Sequence, residues 1–202
     1  MTAQKKQKQT KPKSISEPKG QNNRGMETQP KAWVADLASH NDAARVKARQ
    51  SLVAMGKAAV PLLTEALKSK NSMTKWEAAK ALGEIGDPST APTLVEALED
   101  EDFDVRWLAA EGLTKMNINA LKPLLQALER RGDSFFLQEG AHHVFHDLAK
   151  GGLRKFLAPV LAALEGLEPG EEVPWAARHQ MVVEVPWAAR QALDMLEKAK
   201  TL

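Results

Sequence analysis

At 202 residues, with no cysteine and a formal net charge of +2, the chain suits one domain with a tail and excludes disulfides and thiolate metal sites. No apolar run approaches the ~18 residues of a membrane-spanning helix, which leaves a soluble, cytoplasmic protein as the expectation. The charge is uneven: residues 1–31 carry a net +6 and residues 32–202 a net −4.

Residues 1–31 hold Lys5, Lys6, Lys8, Lys11, Lys13, Lys19, Arg24 and Lys31 among Gln, Pro, Ser and Asn, with few large apolar groups. Such a stretch cannot bury enough surface to offset the entropy of ordering, so a disordered basic tail is expected. It lacks the apolar region of a secretory signal, and its Lys/Gln pattern does not match an Arg-rich transit peptide. Clustered lysines release counterions on meeting phosphate, so nucleic-acid association through the tail is one reading. Without interleaved aromatics for base stacking, a solubilising role is favoured.

From about residue 42 the chain repeats itself. Segments ending at Leu67, Leu98, Leu128 and Leu164 each follow a proline (Pro61, Pro92, Pro123, Pro159) at spacings of 31, 30 and 36 residues. Ahead of each lies a second helical stretch whose columns align: Ala48, Ala78, Ala109 and Ala141; Leu52, Leu82, Leu113 and Phe145; Met55, Ile85, Met116 and Leu148. Steps of four and three residues place these on one helical face, the expected core. Gly56, Gly86 and Asn117 stand where left-handed helix ends are expected, and Pro88 suits the start of the next helix. The predicted fold is therefore all-α: a solenoid of about four antiparallel helix pairs with units near 42–69, 72–99, 103–130 and 134–165, a partial unit at 173–199 ending in a capping helix, and a disordered tail over 1–31.

"DVRWLAAEGL" at 104–113 and "WEAAKALGEIGDPSTAPTLVEAL" at 76–98 resemble HEAT-like repeats, particularly the short bacterial type of phycobilisome-lyase-like proteins. The resemblance covers residues 40–165 and part of 173–199. It implies an α-solenoid but no single activity, since the family includes scaffolds, bilin lyases, a metal-dependent hydroxylase of a modified lysine and DNA-alkylation glycosylases. In this family the second helices usually line the concave surface. Here they carry Glu65, Glu96, Glu99, Glu129 and Glu165, with "EDEDFD" at 99–104, so an acidic groove that repels phosphate is expected there.

Two features stand out on the first helices. Trp76, Trp107 and Trp187 share one column with Val46, about 120° from the leucine of the core column, so an exposed aromatic ridge able to anchor a protein partner is predicted, with His143 beside it. Burial of each indole against the next repeat is the competing expectation. Glu139, His142, His143 and His146 fall on an arc about 100° wide facing away from the core. His142 and His146, four apart, suit a transition metal, with Glu139 at E-x-x-H spacing; a dedicated site would need ligands from another helix. The hydroxylase branch is recognised by repeated His-Glu dipeptides, which are missing here, so that activity is not carried over. His40 and His179 read as surface residues. No phosphate loop, nucleophile elbow or cysteine nucleophile occurs, so no catalytic or cofactor-binding residue is assigned.

The sequence reads as a non-enzymatic interaction scaffold for an unknown protein partner. The alternative is a lyase-like enzyme or accessory holding a tetrapyrrole or metal at the Trp/His surface.

"EVPWAAR" occurs twice, at 172–178 and 184–190. The second copy supplies Val185, Ala189, Leu193 and Leu196 to the core columns, the first Val173, Ala177, Met181 and the misfit Glu184. Proline inside a helix costs about 3 kcal/mol, so Pro174 and Pro186 are each expected at a helix start, with 186–198 as the capping helix.

Overall fold

The computed structural model describes residues 23–165 and 175–200, with side-chain surroundings for 29–165 and 183–199. Helix α1 (Asn23–Asp36) precedes four helix pairs: α2 (Asp42–Ala54) with α3 (Val60–Ala66), α4 (Ser72–Ile85) with α5 (Ala91–Ala97), α6 (Phe103–Met116) with α7 (Ile118–Arg131), and α8 (Phe135–Leu148) with α9 (Arg154–Leu164). Helix α10 (Trp175–Lys200) follows, and no strand occurs among the described residues. None of the described helices is long and apolar enough to cross a membrane.

Each unit begins on a capping side chain. Asn41, Asn71, Asp102 and Ser134 accept hydrogen bonds from the backbone N–H groups of Ala44, Thr74, Asp104 and Leu137 at 3.0–3.4 Å, satisfying donors that a helix start leaves unpaired. Gly86 ends α4 in the left-handed conformation at φ 64°, as its position predicted, whereas Asn117 turns the chain between α6 and α7 at φ 53° and ψ −129°, outside the left-handed helical region expected of it. Pro61 and Pro92 lie in the first turns of α3 and α5, whereas Pro123 and Pro159 lie inside α7 and α9, which start a turn earlier.

The predicted columns form the core. Ala48, Ala78, Ala109 and Ala141 are buried, as are Leu52, Leu82, Leu113 and Phe145; Met116 and Leu148 join them, with Met55 and Ile85 packed at the margin. First helices pack side by side in the order α2, α4, α6, α8, and each of α3 and α5 also packs on the first helix of the following unit, so apolar stripes are covered by neighbours. The tightest joint is α4 against α6. A methyl group on Gly83 would stand 3.1 Å from the Cα of Gly112, and one on Gly112 would meet the Leu94 Cδ1 at 2.8 Å and the Gly83 Cα at 3.2 Å. The two helices touch backbone to backbone there.

Three expectations need correction. The tail was expected to be disordered through residue 31, but α1 starts at Asn23. Leu37 is buried and Trp33 and Val34 pack on the core, and a helix fixed there extends backward because each added residue gains a backbone hydrogen bond at little cost. Residues 1–22 lie outside the described residues.

The second concerns the duplicated motif. Residues 175–200 form one helix with Pro186 inside it rather than two segments. Pro186 packs onto Gly132, where a Cβ would stand 2.5 Å from the proline ring. Packing of the helix on either side offsets the missing hydrogen bond. Val185, Ala189 and Leu193 are buried and Leu196 is half-buried, the register expected of the second copy. Helix α10 packs on α7 and α9, however, rather than continuing the row of first helices beyond α8. Pro174 and the side chains of Val173, Ala177, Met181 and His179 lie outside the described residues.

The third is the acidic groove. Arg131 on α7 pairs with Glu96 on α5 and with Glu99 just past its end, Arg190 on α10 with Glu129 (2.8 Å), and Lys68 with Glu65 (3.0 Å). The acidic loop is likewise engaged: Lys75 reaches Asp100 (2.6 Å) and Glu101 (3.3 Å). Burial works against the Lys75 charge, but hydrogen bonds and attraction from the two carboxylates outweigh it and raise its pKa. That contribution is present at neutral pH and fades only as alkali deprotonates the lysine. These carboxylates are mostly neutralised by arginine or lysine, many from the next unit, so the face is not the bare acidic groove that counting glutamates suggested.

Replacing Gly112 with alanine is expected to lower the unfolding free energy by about 1–3 kcal/mol, because the Gly83 backbone has no room to yield. Urea denaturation should show a lower midpoint at unchanged slope.

Candidate functional site

Between α6 and α8 the solenoid carries a groove of about 390 Å³. Its α6 wall presents Phe103, Arg106 and Trp107, and its α8 wall Phe136, Glu139, His142, His143 and His146, with Ala110 and Gly140 completing the lining. Phe103, Trp107 and Phe136 are 56, 47 and 41% exposed, a concentration of open aromatic surface unusual for residues of this size.

Helical spacing accounts for the cluster. Phe103 and Trp107 are four apart and stack with ring centroids 6.5 Å apart. Across the groove His143 lies 4.8 Å from the Trp107 ring. The Arg106 guanidinium sits 4.0 Å from the centre of the Phe136 ring and 5.5 Å from that of Phe103. Its Nη1 donates to the backbone carbonyls of Asp100 (2.8 Å) and Glu101 (3.3 Å), which fixes its orientation.

The histidines do not converge on one point. His142 and His146 stack with centroids 6.2 Å apart, while His143 turns to Trp107 and places its Nε2 3.6 Å from the Glu111 carboxylate, beyond hydrogen-bond reach. Among the described residues no group of three or more His, Asp or Glu is arranged to hold a metal ion, and Glu139, His142, His143 and His146 share the lining of one groove. Beside them the Asp147 carboxyl is held below its ordinary pKa by a hydrogen bond from Lys150 (2.7 Å), against the opposing effect of partial burial. His142 and His146 also border a groove of about 670 Å³ between α8 and α9, lined further by Lys150, Arg154 and Glu165.

The three tryptophans proposed as a ridge have different surroundings. Trp107 lines the groove. Trp76 is half-buried with the Lys80 ammonium 4.6 Å over its ring, in a separate groove between α2 and α4. Trp187 is 63% exposed on α10, which packs on α7 and α9. Of the predicted partner-binding residues, the structure thus brings together Trp107 and His143 alone. Sequence reasoning missed Phe103, Arg106 and Phe136. A signal was present in the basic residues Arg45, Lys75 and Arg106, each preceding a member of the tryptophan column.

A family model for HEAT repeats matches residues 30–114 and again 60–142, together more than half of the chain. The chain belongs to the HEAT-repeat family. Comparison with curated proteins finds no match. HEAT repeats generally mediate protein–protein interaction. The matched stretch takes in the α6 wall of the groove and ends inside α8, so His143, His146 and the last two helices of this HEAT protein lie beyond it.

Trp107 carries little of the fold. Trp107→Ala is expected to change the unfolding free energy by less than about 1 kcal/mol, whereas Phe145→Ala, at a fully buried position, should cost about 3–5 kcal/mol in the same denaturation experiment.

Proposed function

We propose that this HEAT-repeat protein is a non-enzymatic scaffold that binds a protein partner through the α6/α8 groove. The observation behind this reading is the exposure of Phe103, Trp107 and Phe136 around a fixed arginine, because aromatic and arginine side chains dominate the energetics of protein interfaces. The two walls are regular helices whose opposite sides are locked into the core, so the groove is organised before any partner arrives, which limits the entropy lost on binding.

Immobilised full-length protein should retain a defined set of proteins from a cell lysate. The Trp107→Ala, Phe136→Ala double variant should lose them, and Trp187→Ala should keep them. An unchanged set with the double variant removes the groove from the interface. A visible absorption band or stoichiometric metal in the purified protein would count for a tetrapyrrole- or metal-binding role instead.

A further inference from the structure

The repeat contains a built-in comparison for Arg106. In register with it stand Arg45 and Lys75, and both meet carboxylates. Arg45 donates to a backbone carbonyl, Ser39 O at 2.7 Å, much as Arg106 does to Asp100 O. Arg45 also pairs with Asp42 (2.5 Å) on its own helix and with Glu77 (3.3 Å) on α4. Lys75 has Asp100 and Glu101. Arg106 makes no ion pair among the described residues, and its Nε and Nη2 donate to none of them.

The cause lies in two positions. Counting from the capping residues, Phe103 stands where Asp42 stands in the first unit, and Gly140 stands where Glu77 stands in the second. Ala110 likewise replaces Arg49, which bridges to Glu77 at 2.5 Å across the equivalent α2/α4 groove. The ion-pair network that crosses the first groove is therefore missing from the second, yet one of its cations is kept, held by carbonyls and by the Phe136 ring. A guanidinium fixed in this way, with donors left over, suits a carboxylate.

We propose that the α6/α8 groove docks a partner segment presenting an aspartate or glutamate next to an apolar side chain. The carboxylate pairs with Arg106 as Glu77 pairs with Arg45, and the apolar side chain packs among Phe103, Trp107 and Phe136. This proposal rests on the protein-docking reading of the same groove and specifies its partner. Glu139 also lines the groove and makes no ion pair among the described residues, so a partner cation is the competing recognition chemistry.

The test pans a random peptide library displayed on phage against the full-length protein, then measures binding of the enriched peptides by calorimetry. Enriched sequences should place Asp or Glu beside an apolar residue, and Trp107→Ala should abolish their binding. Replacing the peptide carboxylate with its amide should weaken binding about tenfold or more, and Arg106→Gln should bind acid and amide forms equally. The amide comparison uses unaltered protein, so it does not depend on a variant folding. Groove-binding peptides indifferent to the amide change, or enriched in Lys and Arg, overturn the proposal while leaving the docking reading in place. Enrichment of no peptide sensitive to Trp107→Ala overturns both.

Discussion

The structure depends on apolar stripes that no helix pair can cover by itself. Leu82 and Ala78 point into a space enclosed partly by their own unit and partly by the next, so each unit is stable only in the stack. This explains why the buried columns are so uniform from unit to unit while the outward positions vary freely. The core sets the spacing of the helices, and the faces they turn outward are left to carry function.

Ion pairs reinforce the stack at the surface. Arg49 to Glu77, Arg131 to Glu96 and Glu99, and Arg190 to Glu129 each join neighbouring elements of the array. They also explain why a count of glutamates along the second helices misjudges the field there: the compensating cations lie far away in sequence and near in space. A signed charge has meaning only with its partner, and partners one unit away are not visible in a local window.

The fold was legible because helical periodicity and capping act over a few residues. Ala48, Leu52 and their counterparts reveal a face by spacing alone, and Gly86 reveals a helix end by its backbone freedom. The groove was only half legible. Trp107 and His143 were singled out from their own helices, but Phe103, Arg106 and Phe136 matter through contacts between helices, which require the register of two units at once. The path of α10 was misread for a related reason. A proline rule drawn from isolated helices does not include the pocket above Gly132 that receives Pro186. Once packed there, the helix runs through a residue that would otherwise end it.

The backbone contact at Gly83 and Gly112 has a mechanical consequence. Two helices separated by side chains can slide and rock as those side chains change rotamer, but two that meet at glycine have nothing between them to rearrange. The α4/α6 joint is thus the stiff one in this array. Any bending at this point would have to move the backbone itself, so α4 and α6 travel together. The α6 wall of the groove is therefore carried by the preceding unit as part of one rigid block, a fixed surface against which a partner is met.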